Sequence, residues 1–247
     1  MTRTIDRVAA VVATVALAVT FVAAGLWACC LPQATSLLAG AFSGTGNTPT
    51  PFSHDQLVRA AVATRDYTVG SHDEAAVMGV VAAVNREANT PYADANSAEL
   101  AAAPDTHTLP TDALSHLDDV HGVVSAAFIA LGVIALVAVA ACAHVAVRVG
   151  KRALGGVFLA AGIAVVAVFS LLAAWVAMDF NGFFATFHSL FFAHGTWTFS
   201  WDSLLITMYP PEFWIGMGAI WLAVTCVLSV LGIVVGAKLV AWPLSAA

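Results

Sequence analysis

The sequence predicts an all-α integral membrane protein of four transmembrane helices, and three observations lead there. Hydrophobic residues fill 60% of the 247 positions and charged residues only 10%, a balance foreign to soluble domains and unsuited to holding nucleic acid. Four apolar runs are each long enough to span about 30 Å of hydrocarbon at about 1.5 Å per residue. Basic residues gather at one set of ends of these runs. Arg3, Arg7, Arg148, Lys151, Arg152 and Lys238 are six of the nine basic residues, and of the fifteen acidic residues only Asp6 joins them. Positive charge marks the cytoplasmic side, so the N- and C-termini are expected in the cytoplasm and most of the acidic residues outside.

The first span is expected over residues 8–31. Its outer end, Leu26-Trp27-Ala28-Cys29, loosely resembles the cleavage box of a lipoprotein signal, but Trp27 is bulky and the apolar run exceeds the roughly 7 to 15 residues of a signal core. A retained anchor is the better reading. Residues 32–121 change composition to Ser, Thr, Asn, Asp and Pro, which predicts an extracytoplasmic cap domain running into the start of the second helix. Within it, Gln56–Thr64 and Glu74–Asn89 have helix-compatible apolar spacing, whereas Ser43–Pro51 and Thr90–Pro110 are rich in turn residues. The Ala-rich stretch around 100–103 carries little information.

Thr111 or Asp112, just after Pro110, is the expected N-cap of a helix that passes His116 and enters the second span, 122–147. A short cytoplasmic loop, 148–152, leads to the third span, 153–178. The outer loop, 179–211, precedes the fourth span, 213–237. Ten of the 33 loop residues are aromatic, which places the loop at the headgroup level. Phe180, Phe184, Phe187 and Phe191 follow three- and four-residue steps, as on one face of an interfacial helix, with His188 beside that face. An aromatic belt and the wall of an acyl-chain groove both account for these rings.

Topology sorts the eight histidines. His144 lies about 40 Å along the helix from His116, at the opposite membrane face. His54, His72 and His107 lie in the cap without a local constellation and read as solvent-exposed. His116, His121, His188 and His194 share the outer interface. On a helix His121 points about 140° away from His116, while Asp119 is about 60° away and Asp112 a similar angle on the other side. His116 can therefore pair with a carboxylate that orients the imidazole, although charge pairing at a helix start explains the same residues.

Other chemistries lack their residues. The four cysteines form no C-x-x-C pair; Cys29 and Cys30 are adjacent, and Cys142 and Cys226 lie in apolar helix, so a redox role is not expected. There is no H-E-x-x-H, no G-x-S-x-G elbow and no P-loop. Neither a metal nor a cofactor is implied. The first, third and fourth spans contain no ionisable residue and the second only His144, near its inner edge, which argues against a transporter. A histidine pair acting directly on a substrate remains.

The residues His116-Leu117-Asp118-Asp119-Val120 resemble an H-[LM]-x-D-V motif opening the second span. The later run of Asp179-Phe180, Phe187-His188, Phe191-Phe192, Trp197, Asp202, Leu205-Ile206, Pro210 and Glu212-Phe213-Trp214 is similar to the D-F…F-H-x-x-F-F…W…D-x-L-I…P…F-W pattern of one family, the Lit-type lipoprotein intramolecular transacylases. His121 departs from the basic residue that relatives tend to carry there. The resemblance implies an acyltransferase of the bacterial plasma membrane with its active site at the outer face. It would move an ester-linked acyl chain from the diacylglyceryl group of a lipoprotein to the α-amino group of the same N-terminal cysteine. Diacylglyceryl-modified lipoproteins and membrane lipid are the implied partners. His116 and His188 carry over as catalytic residues, Asp119 and Asp202 as site support, and Phe184, Phe187, Phe191, Phe192, Trp197 and Trp214 as acyl-chain or interface contacts. The competing expectation is a noncatalytic scaffold or lipid-binding protein whose outer domain recruits a partner.

Overall fold

The fold is known from a computed structural model that describes residues 2–45, 49–193 and 195–241. Met1 and residues 242–247, termini that the charge pattern assigns to the cytoplasm, lie outside the described residues. All regular structure among the described residues is helical. In chain order the helices are α1 (Thr2–Cys29), α2 (Pro32–Phe42), α3 (His54–Val69), α4 (Glu74–Glu87), α5 (Ser97–Ala101), α6 (Thr111–His144), a π-helical turn (Val145–Val149), α7 (Lys151–Met178), α8 (Phe180–Ser189), α9 (Leu204–Met208) and α10 (Pro211–Ala241). Among the described residues, four stretches are long and apolar enough to cross a membrane: Arg3–Cys29, Thr111–Val149, Lys151–Met178 and Pro211–Ala241.

The first helix stops at Cys29, short of the expected Leu31, because Leu31 is extended and precedes a proline that opens α2. At the start of α6 neither Thr111 nor Asp112 is the cap. The Pro110 carbonyl accepts from the Leu114 N–H at 3.0 Å, which makes Pro110 the N-cap. Asp112 instead sits in the first turn, where its Oδ1 accepts the Ala113 N–H at 2.9 Å and its charge suits the helix dipole.

The chain divides into two compact units. One comprises residues 1–28, 127–183 and 220–247. In it α7 and α10 approach so closely at Gly155 and Gly236 that a Cβ on either glycine would come within 2.8 Å of the other's carbonyl oxygen. Such contact through small residues is the usual way for helices to associate where the surroundings are as apolar as the side chains. Trp221 adds an indole N–H bond to the Val22 carbonyl at 2.9 Å, and His144 Nε2 lies 3.1 Å from Asp6 Oδ1.

The other unit comprises residues 29–126 and 184–219. Its core gathers Leu38, Leu57, Val77, Val81, Val84, Leu109, Leu204, Met208 and Phe213, all buried. The two helices expected in the cap are present: α3 extends beyond both expected limits and starts through a capping box between Ser53 and Gln56, whereas α4, capped by Asp73, starts at Glu74 as expected and ends at Glu87, two residues short of Asn89. Helices α2, α5 and α9 had no clear sequence signal. Buried polar bonds tie this unit together. Asn85 donates to the Val81 and His107 carbonyls at 2.9 and 2.8 Å and accepts from Thr90 at 2.7 Å.

Gly236→Leu is expected to force α7 and α10 apart at the cost of overpacking, about 1–3 kcal/mol. A thermal unfolding series in detergent should show a clear fall in Tm for Gly236→Leu, against little change for Gly156→Leu, where the added Cβ meets open space.

Candidate active site

Both motif histidines belong to the unit that contains the cap residues. His116 occupies the second turn of α6 and is 8% exposed, and His188 lies near the end of α8. Their ring centres are 6.4 Å apart. Around them stand rings in edge and tilted contact: Phe192 is 4.9 Å and Phe199 5.7 Å from the His116 ring, while Phe184, Trp197, Phe187 and Phe192 are 4.0, 4.9, 5.8 and 5.8 Å from the His188 ring.

Each imidazole has a distinct state. His188 Nδ1 lies 2.8 Å from the Phe184 carbonyl, an acceptor only, so Nδ1 must carry the hydrogen and Nε2 of the neutral ring holds the lone pair. Burial pushes the His188 pKa below the ordinary histidine value, and the bond to the Phe184 carbonyl offsets part of that shift. His116 Nδ1 is buried without a hydrogen-bond partner, and so is the indole Nε1 of Trp197. Unpaired buried donors and acceptors are costly, and in a folded protein each calls for an explanation.

The structure brings together His116, His188, Phe184, Phe187, Phe191, Phe192 and Trp197, with Phe191 in contact with Phe187 and Phe192. Phe191 is not on the helical face that its spacing predicts. Helix α8 ends at Ser189, and the Phe191 and Phe192 N–H groups both turn back to the His188 carbonyl. Trp214 touches Phe184 at 6.0 Å and donates its indole N–H to the Tyr209 carbonyl at 3.1 Å. Asp119 is exposed and Asp202 half-buried, and among the described residues neither carboxylate hydrogen-bonds to either imidazole. His194 lies outside the described residues.

Sequence reasoning missed Phe199, which has no helical periodicity to mark it. It also passed over a second histidine group. His72 stacks between Tyr67 and His121 at 4.7 and 3.9 Å, Asp118 accepts the Tyr67 hydroxyl, and Asp118 Oδ1 lies 3.6 Å from His72 Nε2. His121 thus turns away from His116, as its angle requires. No group of described histidine, cysteine and carboxylate side chains is arranged to hold a metal ion.

The family model of the lipoprotein intramolecular transacylase Lit matches residues 88–214, a stretch that includes both histidines and all the rings around them. The chain belongs to that family. Membership in the Lit family makes it a transacylase of the membrane, an acyltransferase. Among solved structures, the in meso structure of the membrane-integral Lit from Bacillus cereus superposes with a TM-score of 0.69 at 17% identity, covering 96% of this chain and 97% of that one. Variants of the same protein with one histidine replaced by arginine or alanine superpose at 0.62 and 16% identity, covering 96% of this chain and 93% or 94% of theirs. These likenesses show a common multi-pass, all-helical fold. No curated protein matches the chain by sequence.

A depressed His188 pKa means that its ring is neutral at pH 7 and gains a proton only on acidification beyond the ordinary 6.5. The His188 signal in an NMR titration of ring-labelled histidine should have its midpoint below 6.5 and be identified by its loss in His188→Gln.

Proposed function

We propose that this Lit-family chain moves one ester-linked acyl chain from the glyceryl group of a diacylglyceryl-modified bacterial lipoprotein to the α-amino group of the same N-terminal cysteine, giving the lyso-form lipoprotein. The reaction takes place at the outer face of the plasma membrane, the side opposite Arg148, Lys151, Arg152 and Lys238. The observation that carries this reading is the pair of imidazoles enclosed by rings, one with a lone pair presented by a fixed tautomer and the other with an unpartnered buried nitrogen. A noncatalytic scaffold gives those nitrogens no task.

An ester-to-amide transfer requires a neutral amine. His188 Nε2 takes the proton as the amine nitrogen attacks the ester carbonyl carbon, and the Phe184 carbonyl stabilises the imidazolium that forms through its Nδ1–H. The carbonyl oxygen becomes negative in the tetrahedral intermediate, and the Trp197 indole N–H is an unspent donor beside His188. On collapse the carbon–oxygen bond to glycerol breaks, the alkoxide takes a proton from His116, and the proton gained by His188 passes to His116, so both rings return to their starting state. Ester and amine become alcohol and amide with no net gain or loss of protons. Amine and ester belong to one molecule, so binding turns a two-body encounter into a positioned, unimolecular step. Phe184, Phe187, Phe191, Phe192 and Trp214 line the path of the acyl chain, and Asp119 acts on His116 through its charge rather than by a direct bond.

Mass spectrometry of the N-terminal peptide of a lipoprotein co-expressed with this protein, in cells lacking other N-acylation activity, should show an N-acyl, S-monoacylglyceryl cysteine. His116→Ala and His188→Ala should each leave the cysteine diacylated with a free amine. A lyso-form product that persists in either variant removes that histidine from the mechanism, and a parent protein that yields none overturns the reading. Trp197→Phe keeps the ring and deletes the N–H; kcat should fall roughly a hundredfold with KM little changed, the scale of one oxyanion donor.

A further inference from the structure

Beside His116, within the same unit, lies a concavity of about 250 Å³ whose character differs from the aromatic surroundings of the imidazoles. Its polar lining is Asp105, Thr108, Asp112, Thr198, Ser200 and Ser203, two carboxylates and four hydroxyls with no basic group, set among the apolar Pro110, Ala113, Phe199 and Leu205. The Thr108 hydroxyl is fully buried and has no hydrogen-bond partner, so the cavity wall holds a polar atom that nothing in the chain satisfies. The wall is fixed in place. The Asp105 carbonyl accepts the Leu204 N–H at 2.7 Å, and Ser203 caps α9 through the Ile206 N–H at 3.3 Å.

The cavity adjoins the imidazoles in two ways. Phe199 lines it and also contacts the His116 ring at 5.7 Å. Asp112 and Ala113 lie four and three residues before His116 on α6, hence on the same helix face, with Asp112 about 6 Å from His116 along the axis. An extended peptide covers about 3.4 Å per residue. A chain whose first residue reacts at His116 and His188 would reach the cavity about two residues later.

From this placement we infer that the cavity receives the peptide that follows the lipidated cysteine and selects for a cationic side chain about two residues after it. The inference rests on the transacylase reading above. An acyl chain is a poor occupant of a cavity with two carboxylates and four hydroxyls in its wall, since these would lose water without gaining a bond. A peptide supplies what the lining lacks, namely N–H donors and, at Lys or Arg, a positive charge opposite Asp105 and Asp112. The cavity is therefore a specificity subsite, separate from the groups that perform the transfer.

The test uses the full-length protein in detergent with diacylglyceryl lipopeptides that differ only at the second residue after cysteine: Lys, Ser or Glu. The Lys peptide should exceed the Glu peptide in kcat/KM by about tenfold, the scale of one charge contact, through KM rather than kcat. In Asp105→Asn/Asp112→Asn the ratio should fall to near one, and Asp112→Lys should invert it. Thr108→Val should raise KM for all three peptides alike. Equal kcat/KM for the Lys and Glu peptides with the parent protein overturns the subsite, whether or not the variants fold, and so does a preference that survives the double substitution. If the parent turns over none of the three lipopeptides, the failure belongs to the transacylase reading itself.

Discussion

The arrangement around the histidines depends on how one short helix is fastened. Five hydrogen bonds described from distant parts of the cap residues end on α9 and its flanks: the Ser43 hydroxyl and Gly44 N–H reach the Met208 and Thr207 carbonyls, the Thr64 hydroxyl reaches the Met208 sulfur, the Asp105 carbonyl holds the Leu204 N–H, and the Tyr209 hydroxyl donates to the Ala61 carbonyl. Buried backbone groups must find partners, and here they find them between segments more than ninety residues apart in sequence. Phe199 lies a few residues before α9 and Trp214 a few residues after it. The rings that touch His116 and Phe184 are thus positioned from both sides by bonds that contain no aromatic residue at all apart from Tyr209.

Given that frame, the two imidazoles are made unequal by their nearest neighbours. The chain turn at the end of α8 offers His188 a carbonyl one helical turn back, which sets its tautomer without any carboxylate. His116 has no such partner at Nδ1. The carboxylate that does find partners is Asp118, which pairs with Tyr67 and His72 rather than with the imidazole two positions earlier. Adjacent aspartates on a helix face different directions, so Asp118, itself exposed, reaches Tyr67 of α3 while Asp119 does not.

Much of this was legible in the sequence because membrane helices announce themselves by length and apolarity, and because helical angles decide which neighbours can meet. The separation of His121 from His116 follows from five residues of rotation, and the α3 and α4 helices follow from apolar spacing and cap residues. What escaped was whatever depends on contact between distant segments. No local pattern marks α2 or the five-residue α9, both of which are held by tertiary bonds rather than propensity. The end of α8 at Ser189 breaks an aromatic spacing that looked helical through Phe191. The orienting partner of His188 is a backbone carbonyl, which no side-chain motif can reveal.

The aromatic surroundings of the histidines bear on what the proposed reaction avoids. An ester held beside an activated base is open to attack by any nucleophile in reach, and water outnumbers an amine by orders of magnitude. Phe184, Phe187, Phe192, Phe199 and Trp197 cover the two imidazoles with surface that offers water almost no hydrogen bonds. On the proposed chemistry, the same rings that accept a hydrocarbon chain also decide the partition between transfer and hydrolysis. On that proposal, they keep a histidine pair suited to ester chemistry from releasing free fatty acid.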